Sequence, residues 1–122
     1  MSDNLFLILY LIMLFLQTVH IFEEIGFKAY EVVGSLNKYL LAASFLVFAS
    51  YLPLILILLD IRAGYYLAIF GAILALGNGI IHLIGYIKTK SFRGTLGAGV
   101  FSGIPLGIIG GIVLMNLISI VR

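Results

Sequence analysis

Few side chains in this 122-residue chain could do chemistry, and those few fall at short, regular spacings. His20, Glu23 and Glu24 stand at i, i+3 and i+4, offsets that gather side chains on one side of a helix, and Gln17 lies one turn earlier. Asn78 and His82 repeat the i, i+4 offset, Tyr86 follows one turn on, and Ser102 sits near the start of the last apolar run. His20, His82 and either Glu23 or Glu24 make an oxygen-and-nitrogen donor set suited to Zn²⁺ or Fe²⁺, with a position left for water or substrate. The second Glu would then be available as a general base. The same residues also fit a proton or cation relay, because ionisable groups inside membranes form such pathways. A third reading is structural: His, Glu and Asn hydrogen-bond between helices, and the two carboxylates are solvated at the interface.

The elements that must position these residues follow from composition. Of the chain, 63% is hydrophobic and 10% charged, and the mean hydropathy is +1.26. Soluble domains carry about 25% charged residues to cover a water-facing surface. So small a charged fraction points instead to a chain dissolved in lipid, and the length to a single domain. The net charge of +2 comes from scattered loop residues and makes no basic stripe, so no nucleic-acid partner is expected. Without cysteine there are no disulfides, thiolate metal sites or cysteine nucleophiles. Ser-x-x-Lys, Gly-x-Ser-x-Gly and phosphate-loop patterns are also missing.

Crossing about 30 Å of hydrocarbon takes about 20 helical residues. Four runs are long enough: Leu5–Phe22, Tyr39–Leu59, Tyr65–Ile87 and Gly99–Val121. Backbone groups in lipid must be satisfied within the segment, so the expected fold is all-α, a bundle of four transmembrane helices. The first run lacks a basic leader and a small-residue cleavage site, and is expected to be retained. Pro53 and Pro105 fall inside helices and are expected to kink them. Asp60–Gly64 reads as a tight turn, and the longer Ile25–Lys38 as an amphipathic segment along the interface. Lys28, Lys38, Lys88, Lys90 and Arg93 lie on one side and Arg62 and Arg122 on the other. That asymmetry predicts a multi-pass cell-membrane protein with both termini outside the cytoplasm. His20, His82 and Ser102 then fall in the cytoplasmic half, His82 roughly 7 Å from its helix end at the rise of an α-helix.

Small residues predict how the helices pack. Gly99, Gly103, Gly107 and Gly111 recur at every fourth position, a row that admits a neighbouring backbone. Packing inside the bundle is the preferred reading, and a homodimer seam the alternative. Gly71, Ala75, Asn78, His82 and Gly85 lie within an arc of about 80° on the third helix.

At the polar residues the chain resembles the HXXEE-domain family, small prokaryotic four-helix membrane proteins. His20-Ile21-Phe22-Glu23-Glu24 matches its His-x-x-Glu-Glu signature, and Asn78-Gly79-Ile80-Ile81-His82 is similar to its Asn-x-x-x-His motif. The third motif, Tyr-x-Pro-Gly, would fall at Ser91-Phe92-Arg93-Gly94, where only Gly94 agrees. The family has no established biochemical function, so the resemblance implies a fold and a site. The leading expectation is metal-dependent catalysis on a lipid or other apolar substrate, through His20, His82 and Glu23 or Glu24. A small carrier or proton-coupled module using the same residues is the alternative, and a non-catalytic membrane subunit the third.

Overall fold

The computed structural model describes residues 3–92 and 97–122. Four helices account for most of them: α1 (Asp3–Gly26), α2 (Leu36–Leu58), α3 (Ala63–Thr89) and α4 (Val100–Val121). A short 3₁₀ turn, Ala29–Val33, bridges α1 and α2. All four helices are long and apolar enough to cross a membrane, as a multi-pass membrane protein requires. Their outward faces agree, since Phe15, Phe22, Leu41, Phe45, Phe70 and Ile108 are all strongly exposed. Exposure of large apolar side chains all round a bundle fits a hydrocarbon solvent and not water.

Hydropathy underestimates three of the helices. α1 runs four residues past Phe22, so His20, Glu23 and Glu24 all lie on one continuous helix. α2 starts three residues before Tyr39, because Ser35 caps it by accepting the Lys38 N–H at 3.3 Å. α3 gains residues at both ends, whereas the start of α4 shifts only from Gly99 to Val100. α2 and α4 continue past Pro53 and Pro105. The expected tight turn is present, with Asp60 left-handed at φ 57° and Ile61 N–H donating to Leu56 O at 2.8 Å. Arg93, Gly94 and the rest of the third-motif loop up to Leu96 lie outside the described residues.

Around the bundle, α4 packs between α1 and α3, and α2 attaches mainly to α3. One half is filled by apolar side chains: Phe6, Tyr10, Met13 and Leu14 of α1 meet Ala68 and Ala72 of α3 and Val113 and Leu117 of α4. Tyr10 buries its ring there and donates its hydroxyl to Ser50 O at 3.0 Å, tying α1 to α2. Thr18, Ser50 and Thr89 each donate to the carbonyl four residues earlier, which satisfies hydroxyls that lipid cannot.

The closest helix contact is α3 against α4. A Cβ on Gly79 would lie 2.6 Å from Gly107 Cα, and one on Gly107 would lie 2.8 Å from Gly79 Cα. The small-residue row of α4 therefore faces α3 within the chain, as the packing reading expects. Its fourth member is Gly110 and not Gly111. A Cβ at Gly110 would meet Ala75 Cβ at 2.8 Å, whereas at Gly111 the nearest atom is Leu76 Cδ1 at 3.6 Å. At 3.6 residues per turn, a strict every-fourth row drifts off the contact, and a three-residue step restores it. Gly107→Leu should accordingly lower the melting temperature in detergent, by about 1–3 kcal/mol of overpacking or more. Gly111→Leu should leave it nearly unchanged; equal effects would contradict this packing.

Candidate functional site

The site is assembled at the end of the bundle where α1 and α3 finish and α4 begins. Gly99, the residue before α4, is left-handed at φ 87° and has no side chain with which to cap the helix. Glu23 of α1 supplies the cap instead. Its Oε1 accepts Phe101 N–H at 2.9 Å and its Oε2 accepts Ser102 N–H at 2.8 Å, and Oε2 also accepts the Ser102 hydroxyl. Two orphan donors of the first turn are satisfied, and the carboxylate lies at the positive end of the helix dipole.

That cap reaches the imidazoles. Ser102 Oγ lies 3.1 Å from His20 Nδ1. With its own hydrogen directed to the acceptor-only Glu23 carboxylate, Ser102 accepts from His20, so Nδ1 carries the proton and Nε2 a free lone pair. His20 Nε2 and His82 Nε2 each lie 3.5 Å from Glu24 Oε1. The ring centroids are 4.7 Å apart in an edge-on arrangement at 73°. Both imidazoles are buried, 1% and 4% exposed. His20 Nε2 and His82 Nδ1 have no hydrogen-bond partner among the described residues.

Room for two rings comes from α4. A Cβ on Gly99 would collide with His20 Cε1, and one on Gly103 would lie 3.0 Å from His82 Cδ2 and 3.2 Å from His20 Cε1. The first half of the glycine row thus makes space for the imidazoles, and the second half for the α3 backbone.

One ligating atom from each of His20, Glu24 and His82 lies within 4.8 Å of the other two. A separation of 3.5 Å exceeds a charge-assisted hydrogen bond, usually about 2.7–2.9 Å. It matches the spacing of two ligands on one tetrahedral metal, roughly 3.3–3.5 Å for bonds of about 2.0–2.2 Å. With the orphaned Nε2 of His20, the two His–Glu24 spacings make His20, Glu24 and His82 the residues that could hold a cation.

Of the residues singled out by spacing, the structure brings Glu24 to the imidazoles and sends Glu23 to the α4 terminus. Gln17 and Asn78 line an adjoining cavity. Ser102 links Glu23 to His20. Tyr86 is not part of the cluster: its ring stacks on Phe92 at 4.8 Å, Phe92 stacks on Phe101 at 4.7 Å, and Lys90 Nζ lies 5.7 Å from the Tyr86 centroid. Sequence spacing misses Tyr39 of α2, whose hydroxyl donates to Glu24 Oε2 at 2.5 Å. Its one sequence signal is a polar-tipped ring in the first turn of an apolar helix. No family model, curated protein or solved structure matches the chain. Its function must therefore be argued from this geometry.

Glu23→Ala should destabilise the fold by about 1–3 kcal/mol, the scale of hydrogen bonds to a charged group and of a lost helix cap. The measurement is thermal unfolding in detergent, with Glu23→Gln expected to fall between the alanine variant and wild type. An unchanged midpoint for Glu23→Ala would contradict the capping role.

Proposed function

We propose that this chain is a small multi-pass membrane protein that binds one divalent cation, zinc or iron, through His20, His82 and Glu24, and uses it on a lipid or other apolar substrate. The observation that carries the reading is the orphaned, buried Nε2 of His20 aimed at the atoms that His82 and Glu24 bring to the same point. The outer contacts support it. Ligating histidines ordinarily donate their second ring nitrogen to a neighbour, and His20 Nδ1 does so toward Ser102 and Glu23. Tyr39 holds the second oxygen of Glu24, leaving Oε1 for the cation.

With three protein ligands, a bound cation would keep a position for water or substrate and act as a Lewis acid there. Glu23 acts through Ser102 to orient His20, and its carboxylate is occupied by the α4 terminus. The motifs that meet here, His20-x-x-Glu23-Glu24 and Asn78-x-x-x-His82, resemble those of the HXXEE-domain family, and we propose that the chain is related to that family.

A proton-coupled carrier is the second reading, favoured by the chain of exchangeable groups from Glu23 through Ser102 to His20, and from Glu24 to Tyr39. That chain stays in one half of the bundle. Residues 5–16, 65–77 and 105–121 hold no Asp, Glu, Lys, Arg or His to continue it. Catalysis at a one-sided site is the better fit.

Metal analysis of detergent-purified protein should find about one zinc or iron per chain. His20→Ala, His82→Ala and Glu24→Ala should each abolish it, Gln17→Ala should retain it, and Ser102→Ala should weaken affinity by about 10–100-fold. No metal in the wild type, or full occupancy in His82→Ala, would overturn the reading; proton movement driven by a pH gradient in metal-free protein would favour the carrier.

We propose that both termini lie outside the cytoplasm and that the site faces the cytoplasmic side, a reading supported by the four candidate spans and by the excess of Lys and Arg in the first and third loops. Reporter fusions at Arg122 and within the loop after Thr89 should give opposite signals, the former extracytoplasmic. A cytoplasmic signal at Arg122 would reverse this topology.

A further inference from the structure

A cavity of about 500 Å³ adjoins the cluster, between α1, α2 and α3, with His20, Glu24 and Tyr39 at its polar end. Its volume is in the range of small-ligand sites. The space exists because small residues line it: Ala42 and Ala43 on α2 and Gly77 on α3. A Cβ on Gly77 would meet nothing within 4 Å, unlike the glycines at the α3–α4 contact. The outer walls are Ile73, Leu74 and Ile81, all exposed on an apolar membrane-spanning helix, so the cavity opens sideways at hydrocarbon depth.

One wall residue is out of character. Gln17 is only 7% exposed and lines the cavity, yet its amide makes no hydrogen bond with another described residue. Asn78, on the facing helix, lines the same space, and its amide also lacks a partner among the described residues. An unsatisfied amide at this depth is costly, because lipid tails offer no hydrogen bonds. Two amides aimed into one apolar space supply donors and acceptors to something that enters it.

The lining chemistry also limits what enters. Among the described residues it includes no Lys or Arg to balance a phosphate, and in the metal-free protein Glu24 disfavours an anion beside it. We infer that the cavity binds a neutral single-chain lipid with an ester or amide carbonyl, whose tail lies between α2 and α3 and whose polar group is held by Gln17 and Asn78 beside His20 and Glu24. This inference rests on the proposed apolar substrate for its catalytic meaning, but its binding step does not require the cation.

The test uses the full chain in detergent and a monoacylglycerol with a photoreactive group in its acyl tail, before and after metal removal by a chelator. Labelling is expected on α2 and α3 near Leu46, Leu74 and Ile81 in both states. Unlabelled monoacylglycerol should compete, and in the metal-free protein a lysophospholipid of equal chain length should compete at least about tenfold less well, the scale of an uncompensated buried charge. Gly77→Leu fills the space without displacing a neighbour and should abolish labelling while the metal content stays at the wild-type value. Gln17→Leu should weaken competition by about tenfold or more, as for one lost buried hydrogen bond. If Gly77→Leu does not fold, Ala43→Leu serves the same purpose from α2. Labelling that survives both fillings, or equal competition by the lysophospholipid in the metal-free protein, would overturn the inference. Protein that is purified without zinc or iron and takes up neither, yet labels as described, would uphold the inference and remove only the metal reading; protein that holds one zinc or iron per chain and does not label would do the reverse.

Discussion

The Glu23 carboxylate on the first turn of α4 is the contact on which the site depends. Gly99 must be glycine for its left-handed turn and for clearance from both imidazoles, so it cannot cap its own helix. A carboxylate from α1 fills that role and fixes the end of α1 against the start of α4. Once that pair is set, Ser102 reaches His20 Nδ1, the His20 ring turns its Nε2 toward α3, and Glu24, one residue beyond Glu23, lies between the two imidazoles. Adjacent carboxylates on one helix thus do different work: one joins helices and the other lies beside the bases.

The same bundle answers opposite demands in its two halves. Away from the site, bulky residues of α1 fill the space against small residues of α3, and Tyr10 ties α1 to α2. Toward the site, Gly79 and Gly107 bring α3 and α4 together, while Gly77 and the alanines of α2 leave a void on the other side of α3. Glycines two residues apart on one helix therefore have unrelated purposes, close approach and open space. The loose attachment of α2 to α1 leaves the cavity walled by three helices without closing it.

The four helices were legible because length and apolarity alone determine what can cross hydrocarbon. Their ends were not, because polar residues such as Glu23 and Glu24 continue a helix when another element supplies their partners. Helical spacing correctly grouped His20 with Glu24 and aligned His82 at the same depth. It could not separate the roles of Glu23 and Glu24, since that depends on where α4 starts. Tyr39 was hidden for the same reason: its relation to Glu24 is set by the turn between helices and not by a periodicity. Tyr86 illustrates the converse, correctly phased with His82 but turned into an aromatic stack.

The central claim is that His20, His82 and Glu24 share one cation. X-ray absorption at the edge of the bound metal in purified full-length protein tests it most directly, because it counts ligands by type and distance. Two imidazole nitrogens at about 2.0–2.1 Å together with oxygen ligands at about 2.0–2.2 Å are expected, with no sulfur shell. A shell with one imidazole or none, or one unchanged by His82→Ala, would contradict a shared site.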